Sequence, residues 1–414
     1  MTTQMTDRAP NGADSWAARF SDRMSRVRAS EIRELLKLLD QPDILSFAGG
    51  IPDPGLFPAE QIQAGYAAVL ADPVLSRQAL QYSVSEGYLP LRQWIAERMT
   101  RDGMPCEPHN IMLTAGSQQA LDLIGKLFVG PGDTVVVARP TYLGALQAFN
   151  GYEPAYRDLS QGALQDPGGA DLPRGALGYF VPDFANPTGV SLTLEEREGV
   201  LALADALDMT LVEDAAYREL RFSGEPTPTL LALDIARAGS IENARTLFLG
   251  TLSKTLSPAL RIGWACGPKA VIEKLVLLKQ GADLHVSTIN QMVAHRAVSE
   301  GYDQHLHRLR GAYGAKGRVM LAALERTMPD GVTWSHPEGG MFVWIDLPEG
   351  IDGAALLARA IEEERVAFVP GAPFYAEVQK ANAIRLSYSL PTDAQIEEGV
   401  ERIARLIRNV IAEG

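Results

Sequence analysis

Short apolar runs recur through the middle of this chain, separated by stretches with helical periodicity. That alternation limits the fold more than any other feature. The runs are Ile111–Thr114, Thr134–Ala138, Gly178–Val181, Thr210–Glu213, Thr246–Gly250 and Ile262–Cys266, and they read as short buried strands. Strands that alternate with helices imply a mostly parallel sheet covered on both faces. The last third has another pattern. There, Glu338–Asp346 and Ala383–Tyr388 read as strands, with amphipathic helices over Gly353–Glu364 and Thr392–Ala412. The expected fold class is α/β, a mostly parallel central sheet in a large domain beside a smaller α+β domain.

A chain of 414 residues exceeds one compact core and is expected to form two domains. The boundaries read as 60–300 for the large domain and 15–59 plus 301–414 for the small one. Residues 1–14 are polar, with Pro10-Asn-Gly12, and read as a loose tail. Apolar residues at helical spacing follow (Ile32, Leu35, Leu36, Leu39), then a Gly- and Pro-rich loop from Phe47 to Phe57. The charge balance, 38 basic against 51 acidic residues, disfavours nucleic acid and anionic membranes as partners. It also serves plain solubility. No apolar stretch can span a bilayer, and the N-terminus lacks a signal-peptide core, so a cytoplasmic protein is expected. The two cysteines, Cys106 and Cys266, have no metal or redox spacing, and Cys266 reads as a small buried hydrophobe. No metal site is expected. His305 and His307 stand two apart in a helical pattern, face different sides and read as surface residues.

Lys254 lies between two of the apolar runs, in Ser253-Lys-Thr-Leu-Ser-Pro-Ala-Leu-Arg261-Ile-Gly263. An amine placed there risks losing its hydration. Desolvation lowers a lysine pKa and frees the neutral nucleophile that a Schiff base requires. A solvated surface charge is the plainer alternative.

This segment resembles the lysine motif S-K-x-x-x-P-x-x-R-x-G of fold-type I pyridoxal-phosphate aminotransferases, of class I/II. The resemblance continues in order along the chain. It takes in Phe47-Ala-Gly-Gly-Ile-Pro-Asp53, Gln81-Tyr-Ser83, Thr114-Ala-Gly-Ser-Gln-Gln119, Arg139-Pro-Thr-Tyr142, Asn186-Pro-Thr-Gly189, Glu213-Asp-Ala-Ala-Tyr217 and Ile384-Arg-Leu-Ser387. The branch it is most similar to holds 2-aminoadipate and kynurenine aminotransferases.

The resemblance implies a role for each matching residue, beside which a plain structural role stays open. Lys254 holds pyridoxal 5'-phosphate and moves protons as general base and acid. Gly116, Ser117 and Gln118, at a helix start, cup its phosphate with Thr251, Ser253 and Arg261. Taken alone, the first three are more commonly a plain capped helix, and a surface ion pair is the alternative for the arginine. Asp214 faces the pyridine nitrogen and keeps it protonated; otherwise it is a turn residue at a strand end. Asn186 and Tyr217 bond the phenolic oxygen, and Tyr142 stacks on the ring. A turn and ordinary core packing are their alternatives. Arg385 grips the substrate α-carboxylate near Gly50 and Asn186, or else forms a structural salt bridge. Tyr82 is lent to the phosphate by the partner subunit of a homodimer with shared active sites. Arg33 meets a distal substrate carboxylate, or pairs with Glu31 or Glu34 on the surface.

Three positions depart from the family pattern: Ala185 before Asn186, Ala215-Ala216 between Asp214 and Tyr217, and Thr251 for a frequent serine. None removes a residue that transamination needs. The implied activity moves an amino group between an L-amino acid (2-aminoadipate, glutamate, aromatic or branched aliphatic) and a 2-oxo acid such as 2-oxoglutarate or pyruvate, with ping-pong kinetics. A lyase or decarboxylase on the same fold would use the same residues. A non-enzymatic effector-binding module of a transcriptional regulator needs a DNA-binding domain, for which the 46 residues before Phe47 are too few.

Overall fold

The computed structural model describes residues 16, 18–27, 43–160, 175–377 and 380–413. The segment before the loop at Phe47 contributes one short strand, β1 (Leu45–Ser46). The central sheet then collects β2 (Ile111–Thr114), β3 (Thr134–Arg139), β4 (Ala155–Ser160), β5 (Leu177–Phe180), β6 (Thr210–Asp214), β7 (Thr246–Thr251) and β8 (Gly263–Cys266). Its order is β2-β8-β7-β6-β5-β3-β4, and only the pairs that include β8 are antiparallel.

The pleat sorts successive side chains to opposite faces, and β3 shows it directly. Val135 and Val137 join the core under the helix Ser117–Phe128, while Val136 joins the core under the helix Leu194–Leu207. Both faces are therefore covered, and each buried aliphatic contributes about 1.5–3 kcal/mol. The helix Leu194–Leu207 starts from a reciprocal cap between Thr193 and Glu196 and stops at Asp208 in the left-handed region.

The C-terminal third forms a second sheet. β9 (Thr333–Trp334), β10 (Phe342–Asp346), β12 (Val369–Pro370) and β13 (Ala383–Ser387) pair antiparallel in the order β12-β13-β10-β9. β11 (Val366–Ala367) instead pairs with β1 in parallel, Leu45 opposite Val366. That pairing ties the segment before Phe47 to the C-terminal third. The helices Tyr302–Thr327 and Asp393–Glu413 pack together behind this sheet. One continuous apolar cluster runs from Leu113 and Phe248 through Tyr217 to Phe342, Leu386 and Ile403, so both sheets share a core.

All the strands read from the sequence are present, with ends moved by a few residues. The run read from Glu338 begins as a strand only at Phe342, because Gly340 turns the chain with φ 73°. β4 was not expected. Among the residues of the helical pattern between Ser15 and Leu39 that are described, a 3-10 turn spans Asp22–Ser25, and Ile32, Leu35, Leu36 and Leu39 lie outside the described residues.

Candidate active site

Parallel strands deliver their carboxyl ends to one side of a sheet, where ligands gather in open α/β folds. Here β6 ends at Asp214 and β7 at Thr251, while β2 turns through Gly116 into the helix Ser117–Phe128. A cavity of about 160 Å³ opens at these ends, with Tyr142, Asn186, Asp214, Tyr217, Lys254 and Arg261 in its wall.

Lys254 sits in the turn after β7. Two bonds fix that turn: Leu252 N–H to the Ile262 carbonyl at 3.0 Å, and Ser253 N–H to Thr251 Oγ1 at 3.1 Å. Lys254 Nζ donates to the Gly50 carbonyl at 3.1 Å and stands 5.8 Å from the Tyr217 ring centre. Burial pulls its pKa down to about 8, helped by the Arg385 and Arg261 charges and opposed by Asp214.

Asp214 is 2% exposed. Its Oδ2 accepts from the Tyr179 hydroxyl at 2.9 Å, whereas its buried Oδ1 has no partner. Burial raises the carboxyl pKa to about 6, with the Tyr179 bond and the Lys254 charge restraining it. Such an orphaned oxygen is costly unless a donor arrives.

The opposite end of the cavity is built for an anion. Gly116 has φ 79°, and the Arg261 guanidinium fills the place where a Cβ on Gly116 would stand. Arg261 Nη2 donates to the Ala115 carbonyl at 2.7 Å. Gly263, the first residue of β8, lies so close to this turn that a Cβ would meet Ser117 N at 2.7 Å. Ser117, Thr251 and Ser253 also line the cavity, and the Thr251 hydroxyl donates to Ser253 Oγ at 2.9 Å. Gln118 reaches the cavity wall too, while its amide donates to the Gly144 carbonyl at 2.7 Å.

Arg385, from the middle of β13, is 1% exposed. Nη1 donates to Asn186 Oδ1 and Nη2 to the Ala48 carbonyl, both at 2.8 Å. The guanidinium lies over the Phe342 ring, 4.4 Å from its centre, and its Nε has no partner. Among the described residues no carboxylate forms a salt bridge with it. The salt-bridge alternative for Arg385 therefore has no partner among these residues. Asn186 links it to the cavity, and Gly50 stands beside it: a Cβ there would meet Nη2 at 3.8 Å.

Two expected site residues are not in this group. Arg33 lies outside the described residues. Tyr82 is 79% exposed and edge-on to His285, and it does not line the cavity of its own chain. Two polar residues escaped the sequence reading. Tyr179 looked like one more apolar strand residue; its signal was a hydroxyl on a core position, which needs a partner. His305 was read as a surface residue and is buried, its Nε2 2.7 Å from the Thr255 carbonyl. Tyr302, His305, Leu306 and Leu309 share the inward face of their helix, while His307 is exposed. Among the described residues no cluster of His, Cys, Asp or Glu can hold a metal ion, and no helix is long and apolar enough to cross a membrane.

A strand-end lysine, a buried carboxylate and an anion cradle around one cavity define a cofactor-dependent enzyme of the α/β class. The family model for aminotransferase class I and II matches residues 61–403, and the chain belongs to that family. It is a fold-type I transaminase that uses pyridoxal phosphate. The chain is 41% identical to the 2-aminoadipate transaminase of Thermus thermophilus, covering 96% of this chain and 98% of that one. It is 43% identical to aromatic-amino-acid aminotransferase 1 of Thermococcus litoralis, covering 94% of each. The crystal structure of the α-aminoadipate aminotransferase of Thermus thermophilus, complexed with N-(5'-phosphopyridoxyl)-L-leucine, superposes with a TM-score of 0.87 at 40% identity. The match covers 96% of this chain and 100% of that one. The residues fit the cofactor. The unpartnered Asp214 Oδ1 could accept from a ring N–H, and the Gly116–Arg261 cradle suits a phosphate.

Proposed function

We propose that this transaminase takes the amino group of 2-aminoadipate, glutamate or an aromatic or branched aliphatic L-amino acid and delivers it to 2-oxoglutarate or pyruvate. The observation that carries this reading is Arg385: a buried cation, bonded to neutral oxygens only, beside the amine of Lys254 and the residue Asn186. A buried charge without a counter-ion is unfavourable, and a substrate α-carboxylate supplies the missing partner. The names of the relatives support the choice of amino donors.

In this reading Ser117, Gln118, Thr251, Ser253 and Arg261 hold the phosphate, Asp214 faces the ring nitrogen, and Tyr142, Asn186 and Tyr217 border the ring. Pyridoxal phosphate, when bound, supplies the electron sink that accepts the pair left when Cα loses its proton. Arg385 and Asn186 fix the carboxylate, which orients the Cα–H bond toward Lys254. The Lys254 amine would take that proton and deliver it to the cofactor's C4′ carbon, two bonds from Cα. Its lowered pKa leaves a useful fraction uncharged near neutrality.

We infer further a cytoplasmic homodimer in amino-acid biosynthesis, with residues 60–300 as the cofactor-binding domain and 15–59 plus 301–414 as the smaller one. Tyr82 then completes the partner's phosphate site. Support comes from exposed apolar side chains around it, Leu80, Val84 and Leu284. Arg33 is the candidate for a distal carboxylate.

An amino-donor panel with 2-oxoglutarate tests the proposal. Turnover of 2-aminoadipate or an aromatic donor with parallel initial-velocity lines is expected. No turnover across the panel, or converging lines, would contradict it.

A further inference from the structure

Tyr179 does not line the cavity, yet its hydroxyl is bonded to a carboxylate that does. It stands in β5, opposite Val212 of β6 in the parallel pairing. Paired residues point to the same face of a sheet, and so do residues two apart on one strand, so Tyr179, Val212 and Asp214 share a face. From its place beside Val212 the phenol reaches toward the carboxyl end of β6, where its hydroxyl donates to Asp214 Oδ2 at 2.9 Å. The ring is fully buried and stands edge-on to Phe149, with 5.9 Å between centres. Oδ1 of the same carboxyl is buried and has no partner. Burial and the Asp214 charge push the Tyr179 hydroxyl well above its ordinary pKa, so it keeps its proton and stays a donor.

We propose that Tyr179 is a positioning residue that keeps Asp214 ionised, so that the proton shared between Asp214 and the cofactor's ring nitrogen rests on the nitrogen. The proposal depends on the reading that Asp214 faces that nitrogen. A carboxyl and a pyridine nitrogen in contact hold one proton between them, and it sits on whichever base the surroundings favour. Burial favours the neutral carboxyl, and the Tyr179 bond opposes that by stabilising the carboxylate. A hydrogen bond to a charged acceptor shifts such a balance by about tenfold or more. Only the proton changes place: an O–H bond of the carboxyl breaks as an N–H bond forms on the ring, and the Tyr179 proton stays on its own oxygen.

A ring nitrogen that carries a proton draws electrons more strongly, so Tyr179 tunes the electron sink without touching the cofactor. The plainer role, filling the core, belongs to the aromatic ring and not to the hydroxyl. The ring packs in one apolar cluster with Phe149, Val212 and Leu249, and phenylalanine would fill that space equally well. Phenylalanine lacks the donor to Oδ2, and a buried carboxyl without that donor takes up the proton more readily.

The test follows the ring nitrogen itself, by nitrogen NMR of holoenzyme rebuilt with isotope-labelled pyridoxal phosphate at one fixed pH. Protonated and unprotonated ring nitrogens resonate far apart. Wild type is expected to give the protonated signal. Tyr179→Phe is expected to move well toward the unprotonated one and to raise the dissociation constant for pyridoxal phosphate about tenfold. Phe149→Leu loosens the packing but keeps the hydroxyl, so it should melt lower and hold the wild-type signal. Asp214→Asn checks the underlying reading and should give the unprotonated signal. A signal unmoved in Tyr179→Phe but moved in Asp214→Asn would overturn the role of Tyr179 alone. One unmoved in both would overturn the placement of Asp214 as well, and Phe149→Leu matching Tyr179→Phe would reduce the effect to packing. Fluorotyrosine at position 179 keeps both bond and fold. Its fluorine resonance is expected to move when pyridoxal phosphate binds and far less with the deaza analogue, which lacks the ring nitrogen. Equal movement with the two would also overturn the proposal.

Discussion

Lys254 and Lys279 are both drawn out of water, and their neighbours give them opposite fates. Burial lowers the pKa of each. Lys279, however, is held by both oxygens of Asp283, at 2.7 and 2.8 Å, and stays a charged structural anchor. Lys254 has a backbone carbonyl instead, with the Arg385 and Arg261 charges in the surroundings. Its amine is thus the one prepared to react. Below about pH 8 most of it is protonated and cannot attack an aldehyde; above that it is free. Uptake of pyridoxal phosphate by the cofactor-free enzyme, followed by absorbance, should accelerate with pH through about 8 and then level off. A rate that does not change across that range would show that the amine is not prepared in this way.

At the scale of elements, the cradle depends on β8 lying against the turn after β2. Gly263 permits that approach, since any Cβ there would press on Gly116 and Ser117 backbone atoms. Gly263→Ala should lose about 1–3 kcal/mol of stability through overpacking. It should also raise the dissociation constant for pyridoxal phosphate by about tenfold, read by titration (a tenfold change being about 1.4 kcal/mol). Unchanged affinity would mean that the cradle tolerates displacement. The buried strands were legible because they are apolar runs with turn residues at their ends. β4 escaped because it is an edge strand of mixed burial, Ala155–Ser160, with Arg157 in its middle. The direction of β8 escaped as well, because a short apolar run carries no sign of its orientation. Most residues of the cavity wall were legible through motif order. The Tyr179–Asp214 bond was not, since it joins positions from separate strands.

For the whole molecule, the proposed homodimer turns on Tyr82, which does not line the cavity of its own chain and is exposed, as are Leu80 and Val84 beside it in sequence. If each site borrows Tyr82 from its partner, mixing Lys254→Ala with Tyr82→Ala subunits rebuilds one intact site in every hybrid dimer. Random mixing should then return about a quarter of wild-type activity at limiting cofactor, as a two-fold dimer requires. If each chain serves its own site, hybrids contain no intact site and activity stays at the level of the variants.

The chemistry rests on which amine carries the cofactor, and borohydride reduction of the holoenzyme followed by peptide mapping measures that directly. The label should fall on the peptide that holds Lys254 and vanish in Lys254→Ala. A label on Lys279, or none in the presence of excess pyridoxal phosphate, would contradict the account.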